Sequence, residues 1–347
     1  MDGKNMACVL TALNTLEFKE VPMPKAGPGE ILMKLEAVGV CGSDVHYYQH
    51  GRIGDFVVDF PFILGHECAG TVVELGEGVA NLKVGDRVAL EPGVPCGNCE
   101  MCLTGHYNLC PDVKFFATPP YDGCLMNYVS FPAEYAFPLP ENVSCVEGAL
   151  VEPLCIGINA ALTGGVQLGD TVLIFGAGCI GLVSLLAAKA CGASRVIVSD
   201  VIPLRLEVAK KMGAITVNSK EEDLLKKVAE VTGGRGVDVV LDCAGFSATV
   251  TDSVRAARPA GTIVVVGMGE DELNGIPLGP ISAKELIITS LFRYKNLYPT
   301  TIKAIESGKI DISGIVSKTF TFEETPQAFR SAADHPAETV KNVIVFK

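Results

Sequence analysis

The first part of the chain alternates short apolar runs with glycine and proline. Three runs, at residues 31–40, 70–75 and 87–90, are rich in Val, Leu and Ala, and Gly-Pro-Gly, Gly-Glu-Gly and Gly-Asp sequences lie beside them. Short strands separated by turn-forming residues give this pattern. We therefore predict a compact β-rich domain in this part of the chain.

A second pattern begins at residues 172–175, where an apolar run is followed directly by Gly176 and then by a helical stretch at residues 182–190. A further apolar strand, at residues 195–199, stops at Asp200. Four later apolar runs alternate with helical stretches and lie at residues 215–217, 237–241, 262–266 and 286–289. Such alternation predicts an α/β domain with a doubly wound parallel sheet, here of six strands.

The pattern changes again after the sixth strand. A helix is predicted from about Pro299, a β-like segment at residues 316–322 and a last apolar run at residues 340–346. Because a sheet of six strands is already complete, we expect these segments to return to the first domain. The predicted domains are a β-rich domain of residues 1–154 and 293–347 and a parallel-sheet domain of residues 155–292.

Composition and charge exclude several kinds of partner. The 347 residues include 28 Lys and Arg against 40 Asp and Glu, a net charge of -12, and no clustered basic segment that would bind nucleic acid. The longest uncharged run, residues 171–188, contains glycines spaced as a turn, so we predict no membrane-spanning helix. The first residues lack a basic start followed by an apolar segment, and a cytoplasmic protein is expected.

Cysteine spacing predicts a structural metal site. The chain has 13 cysteines, an odd number that favours metal binding or burial over a disulfide framework. Four of them are clustered, at Cys96, Cys99, Cys102 and Cys110. Four thiolates close a tetrahedral zinc shell and leave no open position for chemistry. An iron–sulfur cluster also uses four cysteines and is the alternative.

A different set of metal ligands lies at Cys41, His66 and Glu67. Zinc accepts their sulfur, nitrogen and oxygen atoms, and three protein ligands leave a fourth position for water or substrate. Neighbouring side chains such as His66 and Glu67 point apart in a regular helix or strand, so both can reach one ion only from an irregular backbone. The set predicts a catalytic zinc site.

The sequence Gly-Ala-Gly-Cys-Ile-Gly at residues 176–181 connects the first predicted parallel strand to its helix. Gly176 permits a tight turn, Gly178 lets the backbone approach a pyrophosphate, and Gly181 allows close packing of helix on strand. Asp200 ends the next strand, where its carboxylate accepts hydrogen bonds from ribose hydroxyls and repels a 2′-phosphate. These features predict a dinucleotide-binding Rossmann domain that uses NAD rather than NADP.

Four further segments carry a resemblance: Cys-Gly-Ser-Asp-Val-His-Tyr-Tyr from residue 41, Phe-Ala-Thr-Pro-Pro from residue 116, Val-Glu-Pro-Leu from residue 151 and Phe-Arg-Tyr from residue 292. Together with the two cysteine-containing sets and the glycine turn, they resemble the zinc-dependent medium-chain dehydrogenase/reductase family over nearly the whole chain. The closest resemblance is to its polyol branch, the sorbitol (L-iditol) and xylitol dehydrogenases. It implies a GroES-like β-rich catalytic domain beside the Rossmann domain.

The resemblance also implies how the catalytic zinc is held. Cys41, His66 and Glu67 would be direct ligands, with Glu152 near the zinc-bound water or exchanging with it. If Glu67 does not bind, Glu152 is the natural third ligand, and the sequence leaves this choice open.

Further roles follow from the same resemblance. Ser43 resembles a relay hydroxyl that hands the substrate proton through the cofactor ribose to His46, although a turn serine and a surface histidine are the plainer readings. Asp44 is expected to be structural. The expected polyol-binding wall consists of Tyr47, Phe115, Thr118, Arg293 and Tyr294. Expected cofactor contacts, besides the glycines and Asp200, are Ile180, Arg205 and Val266.

The sequence therefore predicts an enzyme with zinc and NAD as cofactors that reversibly oxidises a secondary hydroxyl of a sorbitol- or xylitol-like polyol to the ketose. Other secondary-alcohol dehydrogenases of the family, acting on L-threonine or butanediol, are one alternative. A non-catalytic NAD-binding redox sensor is another, but it would not need a zinc site with an open position. The expected partner is a small polyol, and the resemblance suggests a homo-oligomer, either a tetramer or a dimer.

Overall fold

The computed structural model describes residues 3–347. These residues form two compact units. The first contains the residues up to Glu152 together with Tyr298–Glu306 and Val316–Lys347. The second contains Pro153–Leu297 and Ser307–Ile315.

Strands and short helices make up the first part of the chain. The strands are β1 (Asn5–Ala12), β2 (Thr15–Val21), β3 (Glu30–Gly39), β4 (Arg52–Ile53), β5 (Phe56–Val57), β6 (Phe62–Ile63), β7 (Glu67–Leu75), β8 (Arg87–Leu90), β9 (Gly93–Val94), β10 (Lys114–Phe115), β11 (Tyr128–Pro132) and β12 (Ala136–Pro138). The helices are α1 (Gly42–His50), α2 (Glu100–Leu103), α3 (Cys145–Ala149) and α4 (Val151–Thr163).

Strands and helices alternate in the remainder of the chain. The strands are β13 (Thr171–Phe175), β14 (Arg195–Asp200), β15 (Ile215–Asn218), β16 (Val237–Asp242), β17 (Ala257–Val265), β18 (Ile287–Ser290), β19 (Val316–Thr321) and β20 (Lys341–Val345). The helices are α5 (Cys179–Cys191), α6 (Pro203–Lys211), α7 (Leu224–Thr232), α8 (Ser247–Ala256), α9 (Leu278–Lys284), α10 (Tyr298–Glu306) and α11 (Thr325–Asp334).

A seven-stranded sheet forms the centre of the first unit. Its order is β12-β8-β7-β3-β20-β19, and β11 also pairs with β3. The central strand β3 is apolar on both faces, because Leu32, Met33 and Leu35 are all buried. β20 runs antiparallel to β3, with Val343 opposite Gly39. The C-terminal strand β20 therefore pairs directly with β3, a strand from the first part of the chain.

The second unit contains a parallel sheet of six strands in the order β15-β14-β13-β16-β17-β18. Leu173, Ile197 and Val240 are fully buried in its core. The predicted six-stranded doubly wound sheet is therefore confirmed. Helix α5 begins three residues before the predicted start, at Cys179, and it ends at Gly192 in the left-handed conformation with φ 112°.

Two elements that carry candidate ligands differ from the sequence prediction. β7 begins at Glu67 rather than at residue 70, because residues 67–69 continue the pairing with β3 as far as Gly39. Helix α1 was not predicted, since Gly-Ser-Asp-Val-His has no apolar period that would indicate a helix. Among residues 3–347, no helix is both long and apolar enough to cross a membrane.

A buried carboxylate ties three segments of the second unit together. Both oxygens of Asp238 accept hydrogen bonds from Arg235, at 3.0 and 2.7 Å, and Arg258 Nε donates at 2.7 Å. The Thr171 N–H donates to the same carboxylate at 2.9 Å. Burial alone would raise the pKa of Asp238, but these hydrogen bonds lower it to about 2.

We predict that Asp238→Asn destabilises the second unit by about 1.5–3 kcal/mol, the usual range for hydrogen bonds to a charged group. Because the folded pKa is lower than the unfolded value, the Asp238 contribution is present above about pH 4 and is lost as the pH falls towards 2. Urea unfolding at pH 7 and pH 3 measures both effects. The control is Asp252→Asn, which breaks the exposed pair with Arg255 and is expected to cost less than about 1 kcal/mol. Equal losses in the two variants at pH 7 would contradict the prediction.

Candidate active site and metal centres

Three side chains of different chemistry meet in the first unit. The ligand atoms of Cys41, His66 and Glu67 all lie within 4.8 Å of one another. Cys41 immediately precedes α1, His66 immediately precedes β7, and Glu67 is the first residue of β7. His66 and Glu67 are buried. One soft sulfur, one imidazole and one carboxylate form a donor set that fits zinc and leaves a coordination position open.

Two glycines make this arrangement possible. Gly65 has φ 93°, a left-handed conformation that other residues rarely adopt, and it turns the chain just before His66. Gly39 faces Glu67 across the sheet, and a Cβ atom at that position would collide with Glu67 Oε2. The irregular backbone that the adjacent ligands require is therefore present at Gly65.

Glu67 is also held by a buried ion pair. Lys341 Nζ donates to its two carboxylate oxygens at 2.7 and 2.8 Å, and also to the carbonyl oxygen of Val40 at 3.1 Å. Glu67 is 0% exposed and Lys341 2%. Sequence reasoning missed Lys341, because a single lysine at the start of an apolar strand gives no signal of its partner.

Asp44 connects the two chain segments that carry the ligands. Its Oδ2 accepts from the Cys41 N–H at 3.3 Å and its Oδ1 from the Gly65 N–H at 3.0 Å. The same Oδ1 lies 3.4 Å from His66 Nδ1. Burial lowers the pKa of His66, but the negative charges of Asp44 and Cys41 outweigh it and raise that pKa well above its usual value. Asp44 thus links the segment of Cys41 to the segment of Gly65 and His66.

Two further carboxyl groups lie near one another in this unit. Glu152 is buried in the first turn of α4, and Glu91 is buried just after β8. The pKa of Glu91 is raised to about 7, chiefly by burial and also by the charge of Glu152, although a hydrogen bond from Tyr107 opposes the shift. Sequence reasoning found Glu152 but not Glu91, since a Glu followed by Pro after a strand is an ordinary turn sequence.

The four clustered cysteines converge as their spacing predicted. The sulfur atoms of Cys96, Cys99, Cys102 and Cys110 lie within 4.8 Å of one another. The Sγ atoms of Cys99 and Cys102 are 3.4 Å apart, and those of Cys96 and Cys102 are 4.0 Å apart. Sulfurs on a tetrahedron around zinc, with Zn–S bonds of about 2.3 Å, would be about 3.8 Å apart. The four-cysteine lobe, residues 96–110, therefore fits zinc.

The glycine turn lies in the second unit between β13 and α5. Gly176 has φ 85°, and a Cβ atom at Gly181 would overlap the carbonyl oxygen of Gly176. Asp200 ends β14, and its Oδ2 accepts from the Ala177 N–H of the turn at 2.6 Å. Its Oδ1 accepts from the N–H groups of residues 201 and 202 at 2.6 and 2.8 Å. The carboxylate is therefore fixed beside the glycine turn.

The other expected cofactor residues are placed as follows. Arg205 lies on α6, and its Nη1 would be 3.7 Å from a Cβ atom at Gly178. Ile180 lies in the first turn of α5. Val266 follows β17, and its N–H donates to the Asp242 carbonyl at 2.8 Å. All three belong to the same unit as Asp200.

The candidate relay and substrate residues fall in both units. Ser43, His46 and Tyr47 lie on α1 in the first unit, where Ser43 is partly exposed, His46 exposed and Tyr47 buried. The Phe115 ring centroid is 5.8 Å from that of His66, and Thr118 is three residues further along the first unit. Arg293 and Tyr294 belong to the second unit. The structure thus brings Phe115 to the Cys41, His66 and Glu67 set.

Comparisons with known proteins give consistent results. Residues 27–141 match the alcohol dehydrogenase GroES-like domain, and residues 179–307 match the zinc-binding dehydrogenase family. The sorbitol dehydrogenase of Arabidopsis thaliana is 44% identical over 96% of this chain and 93% of its own length. The L-idonate 5-dehydrogenase of Vitis vinifera is 43% identical over 95% and 92%. A solved oxidoreductase of unknown specificity from Escherichia coli superposes with a TM-score of 0.95 at 39% identity over 99% of each chain.

We predict that Lys341→Met destabilises the metal-free protein by about 3–5 kcal/mol, because it leaves a buried carboxylate unpaired. Zinc supplies a positive charge near Glu67, so the zinc-loaded protein should lose less. Adding Glu67→Gln to the variant should restore part of the stability. Denaturant unfolding with and without zinc measures these differences.

The matched control is Lys4→Met, which removes an exposed lysine paired with Glu20 and should leave the free energy of unfolding nearly unchanged. If Lys341→Met were no more destabilising than Lys4→Met in the metal-free protein, the assignment of a stabilising buried pair would be wrong.

Proposed function

We propose that the chain, which belongs to the zinc-dependent medium-chain dehydrogenase/reductase family, is an NAD-dependent polyol dehydrogenase. It oxidises a secondary hydroxyl of a sorbitol- or xylitol-like polyol to the ketose, and the reverse reduction uses the same site. Its cofactors are NAD and zinc. The observation that carries this proposal is the convergence of Cys41, His66 and Glu67 into an open donor set.

The full-length likeness to a named sorbitol dehydrogenase supports the substrate class. That relative is similar over nearly its whole length, so the likeness includes both the ligand-bearing segments and the glycine turn. A non-catalytic NAD-binding protein would need the glycine turn but not the open donor set. We therefore favour an enzyme over the sensor alternative.

In this proposal Cys41, His66 and Glu67 hold the catalytic zinc. Glu152 lies near the zinc-bound water or replaces it as a ligand. The four-cysteine lobe holds a second, structural zinc. When bound, zinc supplies Lewis-acid polarisation of the substrate oxygen and NAD accepts the hydride. The pairing of Glu67 with Lys341 lowers the local negative charge without removing the carboxylate from the donor set.

We propose that Ser43 Oγ accepts the proton of the substrate hydroxyl and releases its own hydroxyl proton, which His46 carries towards solvent. The two residues are three apart on α1 and therefore share a helix face. His46 is exposed, so its imidazole can exchange protons with water. Its ring lies 4.6 Å from that of His50, which extends the line of imidazoles along the helix.

The substrate wall is proposed from the family resemblance and from the local placement of its residues. Phe115 packs beside His66, and Tyr47 and Thr118 belong to the same unit. Arg293 and Tyr294, in the second unit, would donate hydrogen bonds to substrate hydroxyls. The glycine turn with Ile180, Asp200, Arg205 and Val266 is proposed to bind NAD.

We also propose that the protein is located in the cytoplasm, a reducing compartment. The 13 cysteines are all free thiols in the structure, which is compatible with reducing conditions.

We propose further that it is a homo-oligomer. β18 is the edge strand of the parallel sheet, and Ile287 and Ile288 on it are 59% and 38% exposed. An apolar edge of this kind is suited to pairing with another chain.

We predict that the zinc-loaded protein forms NADH from sorbitol or xylitol. Its kcat/KM on one of these polyols should exceed that on L-threonine and 2,3-butanediol by at least about tenfold, or about 1.4 kcal/mol of transition-state binding. Because one relative is an L-idonate dehydrogenase, L-idonate belongs in the same panel. The assay follows NADH absorbance, with metal content measured on the same sample.

Faster turnover on L-threonine, butanediol or L-idonate would replace the polyol assignment with that substrate. A fully metallated protein that forms no NADH from any of these alcohols would favour the non-catalytic alternative.

We predict that Asp200→Asn reduces the preference for NAD over NADP by about tenfold or more, or about 1.4 kcal/mol. The change removes the charge that repels a 2′-phosphate and keeps one acceptor oxygen for the backbone N–H groups. The ratio of kcat/KM with the two cofactors is the measurement. Glu207→Gln, an exposed change of the same charge on α6, is the control and should leave the ratio unchanged. An unchanged ratio in Asp200→Asn would remove Asp200 from cofactor selection.

A further inference from the structure

Glu91 is a buried carboxyl group to which the proposed reaction gives no role. It is 4% exposed and follows β8 directly. In the pairing of β8 with β7, Leu90 lies opposite Cys68. Because the strands are antiparallel, the chain leaves β8 beside the point where Glu67 begins β7. Glu91 is thus placed next to the strand end that carries a proposed zinc ligand.

The side chain of Glu91 is held from the four-cysteine lobe. Tyr107 Oη donates to Glu91 Oε1 at 2.6 Å, a short hydrogen bond between a phenol and a carboxyl group. Tyr107 begins the short helical turn Tyr107–Leu109, and its carbonyl accepts from the Cys110 N–H at 3.0 Å. Tyr107 therefore lies between the third and fourth cysteines, and its position depends on how the lobe is closed.

A neighbouring tyrosine shows how near the lobe is to Glu91. The Glu91 N–H donates to the Tyr135 carbonyl at 2.9 Å. Burial raises the pKa of Tyr135 to about 12, and the charges of Glu134, Glu91, Cys102 and Cys110 add to the effect. The Glu91 carboxyl and two lobe thiols thus act on the same phenol.

Glu91 also lies near Glu152, which is proposed to stand beside the catalytic zinc. Both side chains are buried, and the charge of Glu152 adds to the effect of burial in raising the pKa of Glu91. A lysine or arginine in place of Tyr107 would cancel the charge of Glu91. A phenol instead satisfies one oxygen with a neutral donor and holds the carboxyl group in place without a cation.

We propose that Tyr107 and Glu91 are a pair of positioning residues that links the four-cysteine lobe to the open metal site. The lobe fixes Tyr107, the Tyr107 hydroxyl fixes the Glu91 carboxyl, and Glu91 lies beside the strand end that carries Glu67. Closing the lobe therefore tunes the open site as well as stabilising the fold. This proposal rests on the proposed function only where turnover is the readout.

The test compares Tyr107→Phe, Glu91→Gln and the double variant with the unchanged protein. Each single variant should lower kcat by about twofold to tenfold, or about 0.4–1.4 kcal/mol of activation free energy, with little change in KM. The double variant should be no worse than the more impaired single variant, because both changes break the same contact. Metal analysis should still find both metals in every variant.

The second readout does not depend on turnover. Replacing the open-site zinc with Co²⁺ gives a visible absorption spectrum that reports the surroundings of that metal. Tyr107→Phe and Glu91→Gln should each shift this spectrum in the same way. The matched control is Tyr135→Phe, which removes a phenol hydroxyl beside the same lobe but leaves the Tyr107–Glu91 bond intact, and it should leave the spectrum and kcat unchanged.

The proposal fails if Tyr107→Phe alters only the unfolding midpoint, by the same amount as Tyr135→Phe, while the cobalt spectrum and kcat stay unchanged. If Tyr107→Phe loses the lobe metal, Glu91→Gln decides the matter, because it breaks the bond from the other side without changing the lobe. If the unchanged protein oxidises no polyol, the proposed function fails and the cobalt spectra still decide this inference.

Discussion

The buried pair of Glu67 and Lys341 is the contact on which the open site of the first unit depends. One ammonium group donates to both oxygens of the carboxylate, and neither side chain reaches solvent to any extent. A buried charge without a partner is too costly to persist. β20 beside β3 therefore stabilises the ligand segment, because it supplies that partner. The last strand of the sheet is thus part of the metal site as well as of the core.

Local spacing made the lobe and the glycine turn predictable, because four cysteines within fifteen residues, or three glycines within six, meet through short stretches of backbone. The position of Asp44 could also be predicted locally. It lies three residues after Cys41 and accepts a hydrogen bond from the Cys41 N–H in the first turn of α1. The position of β7 was harder to predict. Its first residues, Glu67 to Gly70, include no β-branched or aromatic side chain, and their pairing with β3 determines where the strand begins.

Contacts between residues far apart in the chain could not be predicted from the sequence, and the reason is physical. Lys341 and Glu67 are 274 residues apart, and the preference of a buried lysine for a carboxylate does not say which of 40 acidic residues it meets. Tyr107 and Glu91 are only 16 residues apart. Even so, their contact depends on the fold of the lobe rather than on a helical or strand period. Patterns with a fixed period identify elements, whereas these contacts arise between elements.

Three carboxyl groups near the open site have three kinds of partner. Glu67 receives a cation, Asp44 receives backbone N–H groups, and Glu91 receives a neutral phenol. The three partners differ in charge, so acidic side chains in one small region have different surroundings. The 274-residue separation of Glu67 and Lys341 also matters during synthesis. At about 5–20 residues per second, a ribosome needs roughly 15 to 55 seconds to make the intervening chain. During that interval Glu67 on the nascent β7 has no lysine partner, so the carboxylate stays hydrated until β20 arrives.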